Sequence, residues 1–304
     1  MKEISTAHIK SGDIRSLAKA ISLVENQIPG ANEFLCSLET SHIPIIGITG
    51  APGAGKSTLT DAILRLWIAE GKKVAVLCID PSSPFHRGAL LGDRIRMQQW
   101  QANPKVYIRS LSSRGTLGGL NPSIIEITTV LSAAPFDRIL IETVGVGQNE
   151  IDIARLADIT VVVTVPEGGD DIQAMKSGLM EIADIFVVNK SDRPDADRFT
   201  RNLEQNLRTA DERIMPTVIK TIASEGKGIT ELVESIDQHL QKFQRNEELA
   251  TLLSLRAYEL IAKERMKDIH PEQLQQYIGE SLKKGGFNLF LFIHHFLKSA
   301  STAS

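Results

Sequence analysis

The stretch GAPGAGKST, Gly50 to Thr58, constrains this chain more than any other part of its 304 residues. It follows the apolar run IPIIGIT and precedes TLTDAILRLWIAE, whose apolar residues recur at helical spacing. A glycine-rich turn in that context fits G-x-x-x-x-G-K-[ST], with Gly50, Gly55, Lys56 and Ser57 at the defining positions. The spacing has a mechanical cause. Glycines let the backbone turn its N–H groups toward an anion, at the positive end of the following helix. The intervening Ala51, Gly53, Ala54 and the following Thr58 complete the cradle. Lys56 then reaches the β- and γ-phosphates, and the Ser57 hydroxyl can ligate Mg2+. These residues read as a nucleotide site.

Around this loop, short apolar runs alternate with helical patterns from Ile43 to about Leu240: IPIIGIT, KVAVLCI, KVYIRS, RILIET, ITVVVTV, IFVVN and PTVIK. Runs without polar alternation, separated by helices, are what a parallel sheet covered on both faces produces. The expected fold is therefore α/β, a P-loop NTPase with a mostly parallel central sheet flanked by helices and with helical extensions at both ends. The expected division is 1–42 for an N-terminal helical extension, 43–243 for the nucleotide-binding domain, and 244–304 for a C-terminal helical arm. In the first part, Ile14, Leu17, Ala18, Ile21 and Val24 mark one helical face between Gly12 and Leu38, with Asp13 as its cap.

Composition narrows the class. With 34 basic against 37 acidic side chains, the net charge of -3 argues against a nucleic-acid or membrane-surface binder held by bulk charge. At 42% hydrophobic and 23% charged the chain is not disordered. Two cysteines, Cys36 and Cys78, cannot build a disulfide framework or a four-cysteine zinc site. No segment reads as a signal peptide or a membrane span, so a cytoplasmic protein is expected.

The base is indicated by IFVVNKSD, which puts Asn189, Lys190 and Asp192 at the end of a buried strand. In an α/β sheet that loop lies on the same rim as the phosphate loop. The Asp192 carboxylate can accept from two adjacent N–H donors on guanine, where adenine presents an acceptor. A site built on such bonds rejects the wrong analogue by roughly 10⁴–10⁵. Lys190 would lie along the base, Asn189 would tie this loop to the phosphate loop, and Thr221 and Ala223 in KTIASEGKGI could close the pocket. The expected nucleotide pair is GTP and GDP.

Three acids, Asp80 after VAVLCI, Asp93 in LLGDRIRM and Glu142 after RILI, join Ser57 as candidates for the Mg2+ site. Glu142 stands where a D-x-x-G acid usually stands, giving E-T-V-G, with Gly145 positioned to donate its N–H to the γ-phosphate. In Ras-like GTPases a water-orienting glutamine directly follows the switch glycine. Here Val146 follows, and Gln148 comes later. The catalytic water is then left to Asp80 or a backbone group, so slow hydrolysis accelerated by a partner is expected. The loop PEGGDDIQAMK, with Asp170, Asp171 and Lys176, is a third candidate switch.

Taken together, GDIRSLAKAISLVE, GAPGAGKST, IDPSSP, GALLGDRIRM, RSLSSRGTLGG, ETVGVGQNE, GLMEIADIFVVNKSD and KTIASEGKGI resemble the ArgK/MeaB/MMAA family of G-proteins over roughly residues 10 to 265. The resemblance implies a SIMIBI-class fold, Mg2+ near Asp80, Asp93 and Glu142, and a homodimer built with the C-terminal helices. It implies that Lys176 couples nucleotide state to a partner. It also implies a GTPase chaperone for an adenosylcobalamin-dependent acyl-CoA mutase of the methylmalonyl-CoA type, gating cofactor loading and protecting or reactivating the mutase. The chain has no D-x-H-x-x-G signature, so cobalamin is expected only on the partner. The tail after about His270, with FNLFLFIHHFL, departs from the family pattern and reads as a dimer contact, a partner site or core.

Three other functions fit the fold. A nickel metallochaperone GTPase would want a histidine-rich tract, whereas the seven histidines here are scattered. An ATPase or kinase linked to basic amino-acid transport would need ATP, which NKSD argues against. A GTP-binding scaffold without turnover is the third.

Overall fold

The seven apolar runs become seven strands: β1 (Ile45–Gly50), β2 (Val74–Asp80), β3 (Val106–Ser112), β4 (Arg138–Glu142), β5 (Ile159–Thr164), β6 (Ile185–Val188) and β7 (Thr217–Lys220). They form one sheet in the order β3-β2-β4-β1-β5-β6-β7, with every adjacent pair parallel. The computed structural model describes residues 4–80, 98–100, 102–113, 120–143, 150–166, 179–209, 216–242, 247–267, 269–283 and 287–301.

Between the strands run α4 (Lys56–Ala69), α5 (Ile124–Ser132), α6 (Glu150–Leu156), α7 (Leu179–Ile182) and α8 (Ala196–Thr209), and α9 (Ile229–Lys242) follows β7. The two faces of β5 show why its sequence lacks polar alternation. Val161 and Val163 pack with Leu59, Ile63 and Trp67 of α4 and with Leu232 and Ile236 of α9. Val162 faces the other way, toward Phe199, Leu203 and Leu207 of α8. A strand covered on both sides buries each residue in turn.

Three aspartates fasten the edge of the sheet opposite the phosphate loop. Asp137, Asp158 and Asp184 directly precede β4, β5 and β6, and their carboxylates accept from the amides of Lys73, Ile45 and Thr160, each at 2.7 Å. Each amide lies at the start of the neighbouring strand, where the ladder alone leaves it without a carbonyl. The sequence signs of this device are FDRIL, ADITV and ADIFV.

At the N-terminus come α1 (Thr6–Lys10), α2 (Ile14–Glu25) and α3 (Ala31–Cys36). Asp13 caps α2 by accepting from the Ser16 amide at 2.7 Å, while Leu17, Ala20, Ile21 and Val24 are buried. The helix expected from Gly12 to Leu38 stops at Glu25, where Gln27 takes φ of 48° and Pro29 follows. Helix α2 packs on α5, and Glu25 pairs with Arg109 of β3 at 2.7 Å.

The chain divides into two compact units, Met1–Leu249 and Ala250–Ser304. The second contains most of α10 (Glu247–Arg265), with α11 (Pro271–Lys283) and α12 (Leu289–Ser301). Around α12, Phe292 lies 6.0 Å from both Phe287 and Phe296 between ring centroids. Among the described residues no helix is long and apolar enough to cross a membrane.

Candidate functional site

The carboxyl end of β1 and the first turn of α4 form the phosphate loop. Gly50 takes φ of +133°, and a Cβ there would collide with the Val163 carbonyl of β5. Gly55, the N-cap of α4, takes φ of +93°, and a Cβ there would overlap the carboxamide nitrogen of Asn189. Neither position accepts a side chain without displacing backbone or a buried amide. Lys56 is buried, and its ammonium donates to the carbonyls of Gly50 at 2.8 Å and Ala51 at 3.0 Å. The cation is thereby folded over the mouth of the loop.

The NKSD segment meets this loop through one side chain. Asn189, 2% exposed, donates from Nδ2 to the Ala54 carbonyl at 2.8 Å. Its Oδ1 accepts from Thr221 Oγ1 at 3.0 Å and from the Ala223 amide at 3.1 Å. A single carboxamide thus ties the end of β6 to the phosphate loop and to the turn after β7. Lys190 follows in the left-handed region, at φ of 56°, and its Nζ donates to the Gly53 carbonyl at 2.7 Å. The Ser191 amide bonds the Thr221 carbonyl at 3.0 Å. Asp192 is exposed on the same rim. Lys227, paired with Glu225 at 2.7 Å, has its pKa raised by that hydrogen bond and charge, with a smaller contribution from Asp192. Thr58 and Ala223 border a cleft of ≈ 420 Å³ that Asp61, Arg65 and Ser224 also line.

Glu142 ends β4, one strand over from β1, and is 6% exposed. Ser57 Oγ donates to its Oε1 at 2.6 Å, and Thr60 Oγ1 donates to its Oε2 at 2.9 Å. Thr143 donates its hydroxyl to Thr49 Oγ1 at 2.8 Å, and its amide bonds the Ile48 carbonyl at 3.0 Å. The end of β4 is therefore fastened to α4 by Glu142 and to β1 by Thr143. A carboxylate beside a hydroxyl at a helix start offers the hard oxygen donors that suit Mg2+. Asp80 closes β2, paired in register with Ser112 of β3. Asp93, Gly145, Gln148, Asp170, Asp171 and Lys176 lie outside the described residues.

The structure thus brings Gly50, Ala51, Gly53, Ala54, Gly55, Lys56 and Ser57 together with Asn189, Lys190, Thr221, Ala223 and Glu142. Sequence reasoning missed Thr60 and the Thr49–Thr143 pair. The available signal for Thr60 was its spacing, three residues beyond Ser57 on the same helical face.

Comparison with known proteins gives a consistent result. Residues 17–275 match the family described as "Methylmalonyl Co-A mutase-associated GTPase MeaB". A relative from Pyrococcus abyssi is 44% identical over 286 residues, covering 92% of this chain and 87% of its own. The GTPase ArgK of Escherichia coli is 37% identical over 247 residues, covering 76% of this chain and 74% of its own. Among solved structures, one described as a LAO/AO transport system kinase aligns with a TM-score of 0.67 at 25% identity, over 97% of this chain and 96% of that one.

Proposed function

Because the chain belongs to the MeaB family of methylmalonyl-CoA mutase-associated GTPases, we propose that it is the GTP-driven chaperone of an adenosylcobalamin-dependent acyl-CoA mutase. It hydrolyses GTP to GDP and phosphate, slowly alone and faster with the mutase, and uses the two nucleotide states to gate cofactor loading and to protect or reactivate its partner. The observation that carries the nucleotide part is the Asn189 carboxamide, which holds the guanine-type loop and the phosphate loop as one surface.

On this reading the phosphate-loop amides from Ala51 to Thr58 bind the phosphates, and Lys56 exchanges loop carbonyls for β- and γ-oxygens. Asp192 accepts from the guanine N–H groups, Lys190 lies along the base, and Thr221 and Ala223 close the pocket. Ser57 and Glu142, with Asp80 and Asp93, hold Mg2+. A cation held there would supply positive charge that offsets the charge on the phosphate oxygens. Gly145 donates to the γ-phosphate, and Gln148, Asp170, Asp171 and Lys176 belong to segments that report its presence. If the GTP and GDP forms differ in mutase affinity by about 5–150-fold, the coupling is about 1–3 kcal/mol. Cobalamin stays with the mutase, and the two proteins meet in the cytoplasm.

A homodimer through the 244–304 arm completes the proposal. Supporting it, Leu255, Tyr258, Ile261 and Phe290 of this arm are exposed, Tyr258 by 74% and Phe290 by 81%. Large apolar side chains grouped on one unit mark association surfaces.

The test is GTP turnover by the purified protein, alone and with an acyl-CoA mutase from the same source, with ATP as control. Slow turnover accelerated severalfold by the mutase, and absent with ATP, supports the proposal. Unchanged GTP turnover with the mutase present sinks the chaperone reading and leaves the nucleotide site standing. Lys176→Ala is expected to spare basal turnover and blunt the stimulation.

A further inference from the structure

We propose that Thr60 is a positioning residue for Mg2+ binding: its hydroxyl holds the Glu142 carboxylate so that Ser57 turns its proton toward Glu142 and its lone pairs toward the cation. This rests on the reading of Ser57 and Glu142 as part of the Mg2+ site.

The argument begins with the helix. Ser57 and Thr60 stand three residues apart on α4, so their hydroxyls project from one face. Thr60 is fully buried and Glu142 nearly so, and the carboxylate accepts from Ser57 at Oε1 and from Thr60 at Oε2. A threonine inside a helix ordinarily returns its hydroxyl to a carbonyl of the preceding turn. Thr128 does so to Ile124 at 3.0 Å, Thr129 to Ile125 at 2.7 Å and Thr200 to Ala196 at 2.8 Å. Thr60 instead spends its proton on a carboxylate 82 residues further along the chain.

That choice has a mechanical effect. The last torsion of a glutamate is broad and roughly two-fold, so a carboxylate held at one oxygen can still swing. The bond from Thr60 to Oε2 acts against that swing and helps keep Oε1 aimed at Ser57. With its proton committed to Oε1, the Ser57 hydroxyl presents oxygen lone pairs, and not its proton, to a cation. Mg2+ demands near-ideal octahedral geometry, so the orientation of each oxygen matters more than for a tolerant cation. Partners that orient a ligand in this way are worth about 10–100-fold in metal affinity.

The experiment follows dissociation of a fluorescent GDP analogue from the full chain as Mg2+ is added back after EDTA treatment. Thr60→Val is expected to raise the half-saturating Mg2+ concentration by about 10–100-fold, with nucleotide affinity in EDTA at the wild-type level. Thr60→Ser, which keeps the hydroxyl, is expected to titrate like wild type. If Thr60→Val titrates normally while Glu142→Gln does not, the role of Thr60 is refuted and the Mg2+ reading survives. If Glu142→Gln also titrates normally, the Mg2+ reading itself falls and takes the inference with it. Equal losses for Thr60→Val with and without Mg2+ assign Thr60 to the packing of α4 and overturn the proposal. Should the valine variant fail to fold, Thr60→Ala is compared with Thr60→Ser, and a normal Mg2+ titration by the alanine variant refutes the role.

Discussion

Replacing Asn189 by alanine tests the arrangement on which the nucleotide reading depends. The side chain is 2% exposed and makes three hydrogen bonds, to the Ala54 carbonyl at 2.8 Å and from Thr221 Oγ1 at 3.0 Å and the Ala223 amide at 3.1 Å. Alanine removes all three. The Thr221 hydroxyl can rotate to another acceptor, so its loss counts for little. The Ala54 carbonyl and Ala223 amide are backbone groups and cannot turn away. Each buried group stranded in this way costs about 1–3 kcal/mol, which gives about 2–6 kcal/mol for the pair. The vacated space is polar on two sides, and a water making two or more bonds there would bring the loss toward the lower end. We expect a loss of about 2–4 kcal/mol against a total of about 5–15 kcal/mol for a domain. The fold therefore survives at low temperature.

Urea unfolding of nucleotide-free protein, followed by circular dichroism, reads this loss as a lower midpoint with an unchanged slope. Asn189→Asp provides the control. It keeps an acceptor for Thr221 and Ala223 but sets a carboxylate oxygen against the Ala54 carbonyl, so at neutral pH it should be at least as damaging as alanine. Gly55→Ala approaches the same bond from the other side, since its Cβ would overlap the Asn189 amide nitrogen. If Asn189→Ala loses less than about 1 kcal/mol, the value of an ordinary solvent-compensated hydrogen bond, the carboxamide is not what joins the two loops.

Three further outcomes are expected. Lys56→Ala should abolish nucleotide binding by calorimetry, and a variant that still binds GTP at the wild-type level would remove Lys56 from the phosphate site. Asp192→Asn should move preference from GTP toward XTP in competition assays, because the amide presents a donor where the carboxylate accepted; intact GTP selectivity would defeat the base-recognition argument. Burial pushes the Tyr107 hydroxyl up to about 12 from its ordinary value, aided slightly by Glu25 and opposed by Arg109. A raised pKa means the neutral phenol favours the fold, so this contribution is complete below about pH 10 and fades as pH rises through about 12. Absorbance at 295 nm should show a late ionisation that Tyr107→Phe removes.

How much of this was legible in the sequence differs by level. The inner five strands were, because a strand buried on both faces is largely apolar, and Val161, Val162 and Val163 divide between the two cores; the edge strands β3 and β7 are only partly buried and showed as shorter apolar runs. The order of the strands was not. The position of β4 between β2 and β1 depends on non-local pairing, which no run of residues encodes by itself. Of the site, the phosphate loop was legible because its glycines have a steric reason to be there, Gly50 against Val163 and Gly55 against Asn189. The role of Thr60 was not, since a buried helical threonine looks the same whether its hydroxyl returns to the helix or crosses to a strand. The helix break after Glu25 was missed because Gln27 adopts a left-handed conformation that its side chain does not advertise.

The sheet is fastened at both ends, and this limits where a nucleotide signal can be expressed. At one edge Asp137, Asp158 and Asp184 close the starts of neighbouring strands. At the other, Glu142 and Thr143 tie the end of β4 to α4 and β1, and Asn189 ties the end of β6 to the phosphate loop. A packed sheet held in this way does not deform gradually, and a ligand shifts an equilibrium only by its differential affinity for two states. On the proposed function, the two states that GTP and GDP distinguish would therefore differ outside the sheet rather than within it. In this chain the segments that begin at the strand ends carry IDPSSP, ETVGVGQNE and PEGGDDIQAMK after β2, β4 and β5. Substitutions in the core of the sheet should accordingly change stability, whereas on the proposed function substitutions in those three segments should change how far a mutase partner stimulates GTP turnover.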